Sequence, residues 1–259
     1  MLTEVKGLVI RTVDLKESDR LLTIFTEEMG VVTALARGAR SLKSRKMSST
    51  MQFCYSSFVL SKRDDKYTVK EAELIESFFG IRDSIEALAL AAYIADVLSD
   101  VTTAQSDRDL LRLSLNSLYA VSTGKYSVPL VKAAFEIRAA SILGFMPDVL
   151  ACNTCGGGDG EFFFDIMGGY VECSECRRRR ASAEPDISDG GERRIVRILS
   201  EAARTALSYC IHCPLERIFS FRLEAADAAV FSLAAEDYLV NQLERSFKTL
   251  DFYNRVMRK

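Results

Sequence analysis

Two CxxC pairs, Cys152-Asn-Thr-Cys155 and Cys173-Ser-Glu-Cys176, stand seventeen residues apart in the chain. Around them, residues 152–190 are rich in Cys, Gly, Arg and Asp and carry little aliphatic surface, with Gly156-Gly157-Gly158 and Gly168-Gly169 interrupting any long element. A segment this poor in apolar side chains needs something besides a core to offset the entropy of ordering it. Each CxxC turn brings two thiolates toward one ion, and a hairpin in the spacer returns the second pair to complete a tetrahedron. The spacing is that of a zinc site with Cys152, Cys155, Cys173 and Cys176 as ligands. Four thiolates leave no coordination position for water, so the expected zinc is structural and not catalytic. The alternatives are two reduced pairs without metal, or a redox CxxC, which wants a βαβ setting that neither pair has.

The remaining cysteines carry a weaker pattern. Cys210 and Cys213 flank His212, the one histidine of the chain, but no second half partners them. They read as small buried residues at a helix end before Pro214. Arg177 to Arg180 follow the last ligand directly, where they offset the negative charge of a four-thiolate centre; contact with phosphate or an acidic peptide is the sharper alternative.

The first eighty residues read as β, with period-two alternation clearest at the start. Val5 to Val13 place Val5, Gly7, Val9, Arg11 and Val13 on one face and Leu8 and Ile10 on the other. Further strands are expected over 21–25, 31–35, 52–61 and 68–76, with Asp64-Asp65 as a hairpin tip. Five short strands suit a small closed barrel, of which the OB-fold is one solution; periodicity does not separate it from others. From Met29 to Arg63 there is no acidic residue and a local charge of +7, in a chain whose net charge is −2. Five of those cations, Arg37, Arg40, Lys43, Arg45 and Lys46, lie in ARGARSLKSRK, at a strand end running into a polar, flexible loop. Such a local patch suits phosphate binding better than the overall charge does, although a solvated charge run is the plain alternative. Phe53, Tyr55, Phe58 and Tyr67 lie nearby, more suited to core packing than to stacking on bases.

Beyond Gly80 the pattern turns helical. Asp83 with Glu86 reads as a capping box before Ile85, Leu88, Ala92 and Ala95, and Ser106 with Asp109 caps a second helix ending at Gly124. Pro129 opens a third with Leu130, Ala134 and Ile137, ending near Gly144. Two more are expected over 192–209 and 224–248; the latter, apolar on most faces through Val230, Leu233, Val240 and Leu243, suits the centre of a bundle. The expected class is α+β: an N-terminal β-barrel at 1–80, then an α-helical domain at 81–259 with a zinc-binding insertion at 150–182. Glu4, Lys6 and Arg11 break any secretory signal, and no stretch is apolar enough to span a membrane, so a cytoplasmic chain is expected.

These pieces, in this order, resemble the bacterial recombination mediator RecO family. FEIRAASILGFMPDVLACNTCG (135–156) is similar to the family's F-E-hydrophobic-R helix, its Gly-aromatic-x-Pro exit and its CxxCG. GGYVEC (168–173), LTIFTEEMGVVTALARGAR (22–40) and SFKTLDF (246–252) resemble further family segments, so the likeness runs nearly the whole chain. The resemblance implies an OB-fold, a helical domain bearing the zinc module, and binding of single- and double-stranded DNA with annealing of complementary strands. It also implies contact with RecR, with the acidic C-terminal tail of single-stranded DNA-binding protein, and nucleoid association during loading of the recombinase RecA. Arg37 and Arg40 match basic family positions; Lys43, Arg45 and Lys46 are DNA-binding candidates on charge alone.

No enzyme is expected. Neither GxSxG nor a Walker A segment occurs, and a metal-dependent nuclease would need a carboxylate cluster for which Asp64-Asp65 is a poor start. A zinc-ribbon adaptor working mainly through protein–protein docking is the second reading.

Overall fold

The computed structural model describes residues 2–15, 17–101, 107–158, 160–183 and 194–258. The chain packs as two compact units: residues 1–125 with 247–259, and residues 126–246.

The first unit opens with strands β1 (Leu2–Leu15), β2 (Asp19–Thr26), β3 (Gly30–Ala36), β4 (Tyr55–Arg63) and β5 (Lys66–Glu76). They close into a barrel in the order β1-β2-β3-β5-β4, the OB-fold arrangement. Val5, Val9, Leu22, Ile24, Ala34, Phe58, Leu60 and Val69 fill its interior. Leu8 and Ile10, on the opposite face of β1, are buried as well, because helix α1 (Ile85–Val101) packs on that strand. At Gly7 the strands approach so closely that a Cβ would lie 2.5 Å from Ile24 Cγ2 and 2.9 Å from the Phe25 carbonyl oxygen. Asp64 and Asp65 both take positive φ (48° and 59°), the left-handed pair of a tight hairpin turn.

Helix α2 (Arg108–Ser122) and α7 (Lys248–Met257) complete this unit with α1. Gly80 sits where a Cβ would meet the Ser122 carbonyl oxygen at 2.0 Å, so only glycine permits the turn into α1 to lie against α2. Helix α1, and not the helix expected at 224–248, is the enclosed one here. Leu90, Tyr93, Ile94, Val97 and Leu98 are fully buried, while Ile85 and Leu88 of the expected stripe face outward. A helix apolar on nearly all sides offers several stripes of the same spacing, and packing chooses among them. α7 supplies Phe247 edge-on to Tyr93, with centroids 5.7 Å apart, and Thr249 Oγ1 donates to Asp96 Oδ2 at 2.7 Å.

The caps differ by one residue from the sequence expectation. Ser84, not Asp83, accepts from the Ala87 amide at 3.2 Å, and Asp107 accepts from Leu110 at 2.9 Å. Ser106, the residue expected in that role, lies outside the described residues.

In the second unit, α3 (Val128–Ile142) is buried from Val131 to Ile137 and packs on α6 (Ala225–Leu243) and α5 (Glu201–His212). Two expectations are corrected. Part of the stretch read as one helix over 192–209 is a strand, β8 (Val196–Leu199), because it completes a small sheet as the edge partner of β6 (Phe162–Asp165); residues 192–193 lie outside the described residues. The helix expected at 224–248 is α6, which ends at Glu244 in the left-handed region (φ 51°), and a further helix that was not expected, α7, follows it. Phe231, Ala234, Ala235, Tyr238 and Leu239 form the buried face of α6, and Leu233 stands half exposed.

The sheet runs β7-β6-β8, with β7 at Tyr170–Cys173 and helix α4 (Ser174–Ala183) directly after it. It buries Phe162, Phe164 and Val171, with Phe164 5.3 Å from the Tyr238 ring. The cysteine segment therefore has an aromatic face of its own, more packing than its aliphatic content indicates.

Candidate metal centre and nucleic-acid interface

The sheet brings the four cysteines together. Cys152 and Cys155 lie in the loop that runs beside β7, held by Asp148 N to Gly169 O (2.8 Å) and Asn153 N to Val171 O (2.9 Å). Cys173 ends β7 and Cys176 sits in the first turn of α4. The first knuckle closes through Gly156 N to Cys152 O and Cys152 N to Gly157 O, both 2.8 Å, with Gly156 at φ +73°. All four Sγ atoms lie within 4.8 Å of one another, and Cys155 and Cys173 are 3.9 Å apart. A tetrahedral ion with Zn–S bonds of about 2.3 Å spaces its sulfurs by about 3.8 Å, so the quartet fits such an ion. Among the described residues it is the one cluster of this kind.

The electrostatics point the same way. Burial acts to raise the Cys152 thiol, but amides of Cys173, Cys155 and Thr154 donate toward it and pull it down to about 6. Hydrogen bonding to Cys173, with burial behind it, pushes Cys176 up to about 12. Cys152 is therefore the thiol of the four most readily held as a thiolate, the form in which cysteine binds a metal ion.

The arginines after Cys176 are mostly engaged with the module itself. Arg180 forks onto buried Glu172 at 2.9 and 3.2 Å, Arg177 stacks over Phe163 at 4.8 Å, and Arg179 pairs with Glu175. These contacts favour the compensating, structural reading of the run.

Arg204, on α5, is the residue that sequence reasoning missed. Its guanidinium donates to the carbonyls of Val149 (3.3 Å), Leu150 (2.7 Å) and Gly158 (3.1 Å), which bracket the first CxxC, and lies 4.5 Å over the Phe162 ring. Nothing in its helical neighbourhood marks it, because its partners are backbone atoms about fifty residues earlier. Outer contacts of this sort tune metal retention. Arg204→Ala should release bound metal to a chelator roughly ten-fold faster, and Arg204→Lys should rescue little because the fork is lost. Release at the wild-type rate in both would exclude this clamp.

The DNA-binding candidates occupy the β3–β4 connection. Ala36 and Ala39 are buried in the barrel core, and Arg37 and Arg40, the residue after each, are exposed. The segment is tied down, in contrast to the flexible loop expected. Gly38 N donates to Asp19 Oδ1 (2.8 Å), Arg40 N to Ser18 O (2.9 Å), and Ser44 N to Ser41 O (2.8 Å). A 3-10 turn at Ser48–Thr50 follows, with Thr50 Oγ1 donating to Lys46 O at 2.6 Å. Arg37, Arg40, Lys43 and Arg45 are exposed and Lys46 is half-buried. Asp14 partly neutralises the patch, pairing with Arg40 at 3.2 Å and Arg20 at 3.0 Å. Parallel pairing of Ala34 with Tyr67 and Leu35 with Thr68 sets the β4–β5 hairpin beside the end of β3. There Lys62 and Arg63 pair with Asp65 and Asp64, so those aspartates serve the hairpin tip. Phe53 and Phe58 are buried in packing; Tyr55 and Tyr67 are partly exposed.

Cys210 and Cys213 are buried at the end of α5, whose last carbonyls accept from Arg138. In FEIR, therefore, Phe135, Glu136 and Ile137 are core residues and Arg138 caps a neighbouring helix. No helix of the described residues is long and apolar enough to cross a membrane.

Comparison with known proteins covers both units. Residues 1–78 match the family model described as Recombination protein O N terminal, and residues 82–251 match Recombination protein O C terminal. A DNA repair protein RecO of Acetivibrio thermocellus is 36% identical over 255 residues, covering 97% of this chain and 96% of the relative. That of Caldicellulosiruptor saccharolyticus is 29% identical over 253 residues, 97% of each chain. That of Rubrobacter xylanophilus is 31% identical over 184 residues, 70% of this chain and 73% of the relative.

Proposed function

The chain belongs to the recombination protein O family, with a role in DNA repair and recombination, and from that premise we propose that it is a mediator working without covalent chemistry. It binds single- and double-stranded DNA, anneals complementary strands, and helps load the recombinase onto DNA coated by single-stranded DNA-binding protein. RecR and the acidic tail of single-stranded DNA-binding protein are its protein partners. In this reading residues 1–80 hold DNA, residues 81–259 form the helical partner platform, and residues 150–182 are the zinc insertion, with one zinc on Cys152, Cys155, Cys173 and Cys176.

The observation that carries the proposal is the pinned basic segment at the barrel end. Arg37, Arg40, Lys43, Arg45 and Lys46 present cations on a backbone already ordered by Asp19 and Ser18, so little loop entropy is lost on binding. Phosphate neutralisation lowers the repulsion between two strands, which is the barrier that annealing must overcome. Arg40 exchanges Asp14 for a phosphate, a swap of one anion for another.

The groove between the start of α5 and the start of α6 is a less suitable seat for an acidic tail. Ala202, Ala206, Tyr209, Phe221 and Leu223 line it, but Glu201 and Asp227 oppose Arg222 there.

Five phosphate contacts give a slope of log K against log salt of about −3.5 for single strands and −4.5 for duplex. Arg37→Ala with Arg40→Ala should flatten that slope by about 1.5 and weaken binding while thermal unfolding stays unchanged. Affinity that ignores salt, or a double variant that binds like wild type, would sink this assignment and favour the docking adaptor.

A further inference from the structure

The segment that carries the cations also carries an apolar side chain with no place in the fold. Leu42 is 91% exposed, the most exposed large hydrophobic residue described. Ala36 and Ala39 of the same segment are fully buried in the barrel, so the backbone that tucks those two residues inward turns Leu42 outward. A single exposed leucine is ordinary on a protein surface. This one is held, by the Ser41 N to Gly38 O (3.3 Å) and Ser44 N to Ser41 O (2.8 Å) turns, between Arg40 and Lys43 at the crest of the basic patch.

Resting on the DNA-binding reading of this loop, we propose that Leu42 is an apolar contact for unpaired bases: it packs on a base face while its cationic neighbours hold the flanking phosphates. The partner follows from the two chemistries side by side. Phosphates alone have no use for a leucine, whereas single-stranded DNA sets open apolar base faces between its anions. In a duplex the base faces are already stacked, and inserting a wedge costs unstacking of a step. In a single strand they are open, and stacking on them tolerates any sequence. Leu42 thus supplies the part of single-strand affinity that salt does not screen, and biases the loop toward unpaired DNA.

The test uses the full chain with Leu42→Ala and Leu42→Ser, titrated at two salt concentrations against an oligo-dT strand, an abasic strand of equal length, and a duplex. Burying about half of a leucine side chain on a base corresponds to roughly five-fold in affinity, so the dT strand should bind about that much more weakly to Leu42→Ala. The salt slope should not change, and the abasic strand and duplex should lose less than about two-fold. Equal losses on dT and abasic strands would overturn the proposal, as would a changed slope or undiminished dT binding. The Arg37→Ala, Arg40→Ala variant separates the two ideas. If it binds normally, the loop reading itself has failed; if it is weakened while Leu42→Ala is not, only the base contact falls. Leu42 has no core contacts to lose, and an unchanged thermal midpoint verifies that folding is intact.

Discussion

Cys173→Ser, or removal of the metal by a strong chelator, should melt the two knuckles at residues 148–158 and 173–183 while the barrel keeps its structure. Structural zinc contributes on the order of 10 kcal/mol of apparent folding free energy in small modules, far more than any single contact near it. Without the ion, the knuckles are left with backbone bonds such as Asn153 N to Val171 O and Ser174 N to Glu161 O, the fork of Arg180 on Glu172 and the grip of Arg204, and with little apolar burial of their own. The sheet core is better provided for. Phe162 and Phe164 are buried and β6 pairs with both neighbours, so its amides should remain protected after chelation. Hydrogen exchange by mass spectrometry reads this directly: fast exchange confined to the knuckles in the metal-free protein, slow exchange in β1 to β5. Metal-free protein with native protection throughout would show that packing alone holds the segment. Because the thiols must shed protons to bind, metal retention should weaken as pH falls.

A second large effect is expected from Lys132→Met. The Lys132 ammonium is buried, 2.8 Å from Glu136 Oε1 and 2.6 Å from Glu236 Oε2, and Glu136 itself is fully buried. Methionine fills the stem's volume but removes the ammonium that Glu136 and Glu236 share, at a cost of about 3–5 kcal/mol. Lys132→Met with Glu136→Gln should recover much of that loss, because the buried charge and its countercharge on α3 are then removed together. Denaturant midpoints of the wild type, the two single variants and the double variant measure the coupling; additive losses would mean that the groups do not act as a pair.

The pH dependence has a definite sign. Burial acts to lower the Lys132 ammonium, but the two glutamates together outweigh it and hold its pKa above the ordinary value. A pKa raised on folding contributes stability in full below the unfolded value of about 10.4, and that contribution is lost only as pH rises through the folded value. The wild type should therefore show no loss from this site across the neutral range. In Lys132→Met, the loss of stability that sets in at high pH in the wild type should be absent, because the titrating ammonium is gone.

Much of the architecture was legible because it rests on local rules. Period-two alternation marks the first strand, short apolar runs mark the other four, and Asp64-Asp65 between two such runs takes the left-handed pair of a tight turn. Gly124 and Gly144, both at positive φ, close helices as C′ residues do. The CxxC spacing belongs to a chemistry that needs four sulfurs and little else. The errors share one cause. Val196–Leu199 is a strand because β6 stands beside it, and the cap of α2 is Asp107 because that residue reaches the Leu110 amide. Ile85 and Leu88 face outward because α7 and β1 occupy the other sides of α1.

The sequence by itself determined which groups exist and in what order: a quartet of thiols at metal spacing, and five cations in a span without acids. Those properties are covalent or set by neighbours along the chain, so no fold is needed to read them. Tertiary structure decided which of these groups are spoken for. Asp14 against Arg40, Glu236 against Lys132 and Arg204 across the first knuckle are pairings between distant residues. Their energies depend on separation and burial, quantities that come into being only when the chain closes on itself.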